Sequence, residues 1–159
     1  MKKGNTWHFG YKAHVGVDSK MGLVHTVKIT AANVQDITVM PNLLTGEKTY
    51  VYGDSGYIGV DKRENAVIKN KYGKKIGYKI NRRPSQMRKL SKDGQYQAKK
   101  IEHQKSSVRA KVEHVFGVVK KLFKYRKTQY RGNEKQTQKM NMMFALANLY
   151  MANKKTKLA

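Results

Sequence analysis

The chain has 159 residues, of which 34 are Lys or Arg and 10 are Asp or Glu, for a net charge of +24. A positive excess spread along the whole chain calls for a polyanionic partner, most commonly a phosphate backbone, and there is no concentrated basic amphipathic helix or lipid anchor of the membrane-surface kind. With no Cys, disulfides and Cys-based zinc sites are excluded, and no apolar run approaches the ~18 residues of a spanning helix, so a reducing cytosol is the expected location.

In chain order, residues 6–17 alternate as a half-buried strand. Trp7, Phe9, Tyr11, Ala13, Val15 and Val17 face one way, and His8, Lys12 and His14 the other. The turn residues DSKMG at 18–22 lead to an antiparallel partner at residues 23–30. Residues 33–44 predict a short helix interrupted near Pro41, and residues 50–53 a third strand ending at Asp54. Residues 61–69 look helical, residues 74–80 form a fourth strand, and residues 81–100 are basic, polar and linker-like. From about Gln95 a helix runs to Phe123 with Val108, Val112, Val115, Phe116, Val119, Leu122 and Phe123 as its core stripe. A basic loop or short strand at residues 124–131 precedes a last helix opening near Asn133, an N-cap residue, with Met140, Met143, Phe144, Ala147 and Met151 inward. One α/β domain at residues 1–153 with a basic disordered tail at 154–159 is the expected organisation. Ten Tyr among so many cations suit base stacking or phosphate contacts, while for each Tyr taken singly strand packing is the favoured reading.

Two acids stand out. Residues 51–57, VYGDSGY, end a β-prone run in a glycine-flanked Asp54, which projects its carboxylate from a strand end into a tight loop. Residues 106–123, SSVRAKVEHVFGVVKKLF, place Glu113 on an amphipathic helix. Acids held on separate elements and brought together are what a divalent cation such as Mg²⁺ or Mn²⁺ needs for phosphodiester chemistry. Their carboxylates are then expected within about 8 Å, close enough to share an ion. At 100° per residue, Arg109 lies about 40° and Lys120 about 20° from Glu113, with Ser106 near the same line. The alternative is an Arg–Glu pair that steadies a surface helix by ~0.3–0.5 kcal/mol. His8 and His14 share a strand face, but six residues apart and without Cys they read as sheet-surface residues, not zinc ligands.

Three blocks carry a resemblance: KGNTWHFGYK at residues 3–12, GDSGY at 53–57, and RAKVE at 109–113 continuing to Lys120. Together they resemble the C-terminal part of the catalytic domain of a DDE-type bacterial transposase, in the group named after insertion sequence 5. The last block is similar to that family's Tyr-x2-Arg-x3-Glu-x6-Lys pattern, with Ser106 in place of the Tyr. The resemblance implies an RNase H-like mixed sheet with packed helices. It makes Asp54 the second and Glu113 the third metal-ligating acid, and Arg109, Lys120, Ser106 and Lys12 DNA-contacting residues. It also implies two Mg²⁺ ions, double-stranded transposon-end and target DNA as substrate, and a homo-oligomer or a complementing N-terminal fragment as partner.

The family's first Asp belongs on a strand ahead of Trp7, for which the chain leaves no room. Neither Asp18, in a hairpin turn, nor Asp36, with its expected structural role, replaces it. The expectation is therefore a domain without its first strand, inactive alone: a truncated remnant or the downstream half of a gene read in two parts. The main rival is a non-catalytic basic nucleic-acid-binding protein, which gives no reason for a strand-end Asp with a helical Glu flanked by Arg and Lys. The second is a fragment that binds transposon ends or the full-length transposase and acts as an inhibitor.

Overall fold

The computed structural model describes residues 2–7 and 9–156. Its strands are β1 (Lys2–Lys3), β2 (Thr6–Trp7), β3 (Tyr11–Val17), β4 (Val24–Ala31), β5 (Tyr50–Gly53) and β6 (Gly77–Ile80). Its helices are α1 (Asp36–Val39), α2 (Pro84–Arg88), α3 (Lys92–Gly117) and α4 (Asn133–Thr156). The class is mixed α/β, as expected, with three separate two-stranded sheets: β1–β2, β3–β4 and β5–β6. Two compact units result, one of residues 1–43 and 112–159, the other of residues 44–111. Among the described residues no helix is long and apolar enough to cross a membrane.

The first unit is built on the β3–β4 hairpin, antiparallel from Tyr11↔Ala31 to Val17↔Val24. Asp18 closes the turn as its residue types dictate, Oδ1 accepting from the N–H groups of Lys20 (2.9 Å) and Met21 (2.6 Å). The strand expected over residues 6–17 is broken, because Gly10 takes φ 136°, a conformation that ends the alternation and leaves Phe9 93% exposed. The side chain of Trp7 and all of His8 lie outside the described residues. Tyr11, Ala13, Val15 and Val17 do face inward, onto a core of Ile29, Val115, Val119, Met140, Met143, Phe144 and Ala147. Phe116 meets Phe144 edge-on, ring centroids 5.6 Å apart.

His14 corrects the surface reading of its strand face: it is 6% exposed, with Nε2 2.8 Å from Thr30 Oγ1. Burial pushes its pKa down, aided by Lys12 and opposed by Asp36. After Gly117 the α-helix passes into a π-helical turn, Val118–Leu122, closed by Phe123 N–H to Val118 O at 3.0 Å. The wider turn resets the helical phase, so Leu122, expected in the core stripe, is 48% exposed, while Val115 and Val119 stay buried. The α4 stripe reads through as expected, and α4 continues to Thr156, whose hydroxyl donates to Ala152 O and Asn153 O. Residues 154–156, expected in a disordered tail, are thus helical, and residues 157–159 lie outside the described residues.

In the second unit β5 and β6 run parallel, Tyr50↔Gly77 to Gly53↔Ile80. The helix expected over residues 61–69 is only a 3-10 turn, Val60–Lys62, because the backbone beyond it is engaged elsewhere. Val67 O accepts from Tyr78 Oη at 2.8 Å, and Ile68 O from Ile76 N–H at 2.8 Å. The linker expected over residues 81–100 is mostly helical. Pro84 opens α2, where Arg83 N–H donates to Gln86 Oε1 (3.1 Å), and Ser91 Oγ accepts from Gly94 N–H (3.2 Å) near the start of α3.

Asn148 ties α4 to the hairpin in a way that periodicity does not announce: Oδ1 accepts from Val24 N–H (2.8 Å) and Nδ2 donates to Val24 O (2.7 Å). Asn148→Ala leaves both backbone groups unpaired, at a cost of about 1–3 kcal/mol. Thermal unfolding that shows no loss for this variant contradicts that role.

Candidate active site

The two parallel strands of the second unit finish side by side, and the chain delivers Asp54 after β5 and Asn81 after β6. Asn81 N–H donates to Gly53 O at 3.0 Å, carrying the ladder one residue past β6. Outer carboxyl ends of parallel strands are where α/β sheets place ligands. Asp54 caps the 3-10 turn Ser55–Tyr57: Oδ1 accepts from Gly56 N–H at 2.8 Å, leaving Oδ2 to the solvent-exposed side. Gly56 keeps this contact uncrowded, since a Cβ there would stand 3.0 Å from Oδ1 of Asp54 and one of the two would have to give. The GDSG sequence therefore builds an acid that is held by its own loop and still presents a free oxygen.

Beside it, one face of α3 meets the end of β6. Glu102, Lys105, Ser106 and Arg109, spaced i, i+3, i+4 and i+7, converge on Asn81 and its neighbours. Asn81 Nδ2 donates to Glu102 Oε2 (2.8 Å) and Ser106 Oγ (3.3 Å), and Arg109 Nη1 donates to Asn81 Oδ1 (3.1 Å). Lys105 Nζ donates to Ile80 O and Glu102 Oε1, both at 2.8 Å, and Arg82 N–H donates to Glu102 Oε2 at 3.0 Å. Burial pushes the Glu102 carboxyl up, but Lys105, the Arg82 N–H and the Asn81 amide outweigh it and hold it below the ordinary carboxylate range.

Two of the sequence-predicted residues, Ser106 and Arg109, are thus brought onto the same partner in this unit. The residue that joins them, Asn81, fell in the stretch read as linker, and Glu102 and Lys105 were not singled out either. The signal was present: an amide directly after a strand, and a Glu seven residues before Arg109 on one helical face.

Asp54 lies in this second unit as well, whereas Glu113, Lys120 and Lys12 belong to the first. Glu113 is exposed on α3, and among the described residues no hydrogen bond or ion pair engages its side chain. Lys120 falls within the π-helical turn, which displaces it from the angle an ideal helix gives, and its Nζ lies 5.5 Å from the centre of the Phe116 ring. Lys12 is held by Val34 O (2.8 Å) and Asp36 Oδ1 (3.0 Å), and this ion pair accounts for Asp36 structurally. No group of three or more His, Cys, Asp or Glu residues that could hold a metal ion is gathered among the described residues.

The family model of the transposase DDE domain matches residues 1–149. The chain belongs to the transposase DDE domain family. No solved structure matches it. Membership makes this a transposase domain with DNA as its substrate class, which agrees with a net charge of +24. It also implies a divalent metal, and the acids present suit one. Mg²⁺ is commonly held by one or two carboxylates with waters and substrate phosphates completing its shell, and an exposed carboxylate such as that of Asp54 is a donor of that kind.

The depressed Glu102 pKa has a consequence for stability. A carboxylate held below its unfolded value of 4.5 contributes stability that is present above that pH and lost as pH falls through the folded value. Acid unfolding of the transposase domain should therefore flatten in Glu102→Gln below pH ~4.5 relative to the parent. Identical acid limbs for the two proteins rule out Glu102 as a contributor.

Proposed function

We propose that this transposase domain serves metal-dependent DNA strand cleavage and strand transfer for an insertion sequence of the insertion sequence 5 group, on an RNase H-like scaffold. Asp54 and Glu113 act as the metal-ligating acids. When bound, Mg²⁺ or Mn²⁺ supplies activation of the attacking water or 3′-hydroxyl and neutralises charge at the leaving oxygen. Arg109 offers a planar fork of donors for a phosphate, and Lys120, Ser106 and Lys12 add further contacts along the strand. The observation that carries the reading is Asp54 itself: an exposed carboxylate fixed by its loop at the carboxyl end of a parallel strand pair, in a chain with only 10 acids.

In this reading a third carboxylate, supplied by a complementing segment, completes the metal site. The substrate is double-stranded transposon-end and target DNA, and the working assembly is a homo-oligomer or a complex with that complementing segment.

Supplying an Asp-bearing segment, fused or in trans, should give Mg²⁺-dependent nicking of duplex DNA. Asp54→Asn and Glu113→Gln should each reduce it by at least ~10³-fold, while duplex affinity changes by less than about threefold, since neither acid contacts phosphate through a positive charge. Nicking that survives both substitutions places the active site elsewhere.

A further inference from the structure

We propose that Asn81 is a positioning residue for DNA binding: its side-chain amide, locked in one orientation by Glu102, aims the Arg109 guanidinium at a phosphate of the bound strand. This rests on the reading of Arg109 as a phosphate-contacting group.

The argument follows from donor and acceptor types. An Asn amide has one acceptor oxygen and one donor nitrogen, an ionised carboxylate only accepts, and a guanidinium only donates. Asn81 is 9% exposed and lies between one of each. Only one orientation satisfies all three groups, with Nδ2 on Glu102 Oε2 (2.8 Å) and Oδ1 on Arg109 Nη1 (3.1 Å). Turning the amide over would set oxygen against oxygen and N–H against N–H. Glu102 cannot yield, because Lys105 Nζ and the Arg82 N–H hold its two oxygens at 2.8 and 3.0 Å. Nor can the Asn81 backbone, tied to Gly53 O at the strand end.

The choice of an amide matters for charge. Asn81 takes one of the five Arg109 N–H donors with a neutral oxygen, so the guanidinium is oriented without being neutralised. A carboxylate in that place would cancel the charge that a phosphate has to meet. The family pattern Ser106–Arg109 is thereby linked through Asn81 to the same strand pair that ends in Asp54, and the guanidinium is ordered before DNA arrives, which lowers the entropy lost on binding.

The test uses the full chain and a fluorescent duplex of random sequence, with dissociation constants measured across a salt series. The parent, Asn81→Ala, Arg109→Ala and the double variant are compared, and thermal unfolding confirms that each is folded. Asn81→Ala should lose as much affinity as Arg109→Ala to within about twofold, and the double variant should be no weaker than Arg109→Ala alone. Both single variants should flatten the salt slope by about 0.9, the contribution of one phosphate contact. A residue that merely stiffens the fold would leave that slope unchanged. Losses that add in the double variant, or an unaffected Asn81→Ala beside a weakened Arg109→Ala, overturn the inference and leave the phosphate-contact reading standing. An unaffected Arg109→Ala overturns the reading itself, and the inference with it. Should Asn81→Ala fail to fold, Glu102→Gln serves instead: a Gln side chain can donate as well as accept, which frees the amide to turn. It should weaken binding in the parent background and leave Arg109→Ala binding unchanged, whereas full affinity in the parent background overturns the proposal.

Discussion

Scarcity of negative charge is the constraint that organises this chain. Ten acids serve 34 cations, and most of the acids are committed to a local task. Asp18 shapes the β3–β4 turn, Asp36 pairs with Lys12, Glu47 with Lys71, and Glu102 with Lys105 and the end of β6. Asp93 and Glu134 sit in the first turns of α3 and α4, where a negative charge is favourable. What remains positive repels itself, and a polyanion relieves that repulsion. Against this background Asp54 at a strand end and Glu113 on α3 are exposed, as are Asp61 and Glu64, and none of these four forms an ion pair among the described residues.

The same economy explains why the second unit is organised around an amide. With so few carboxylates to fix its cations, the chain uses one partly buried Glu102 to order several groups at once: an ammonium, a backbone N–H and the Asn81 amide. The amide then transmits order to Arg109 and Ser106 without spending another negative charge. A half-buried ion pair of this kind adds little net stability, but it fixes geometry at the outer end of a parallel strand pair, where a ligand-binding device has most use for it.

How much of this was legible in the sequence depends on which physical signal carried each feature. Alternation found the β3–β4 hairpin and the inward faces of Tyr11 to Val17, and the 3.6 period found the Met140 to Met151 stripe, because burial imposes both. The GDSG loop announced Asp54 through its glycines. Periodicity failed where backbone geometry changed. Gly10 broke the first strand, and the π-helical turn after Gly117 moved Leu122 and Lys120 off the positions an ideal helix gives them. It failed again over residues 81–100, where α2 and the start of α3 are held by Pro84, Gln86 and Ser91, not by an apolar stripe. Asn81 and Glu102 act through hydrogen bonds between a strand end and a helix 21 residues on, and such pairings leave no period to read.

The central claim is that Asp54 and Glu113 are the acids that hold a catalytic divalent cation on DNA. Its most direct test is Mn²⁺ titration of the ¹⁵N-labelled chain bound to a duplex, read as paramagnetic broadening of amide signals. The account predicts that signals of the GDSGY loop around Asp54 and those flanking Glu113 both broaden at substoichiometric Mn²⁺, and that Asp54→Asn abolishes the effect at both places. Broadening that spares either acid, or that survives Asp54→Asn, contradicts it.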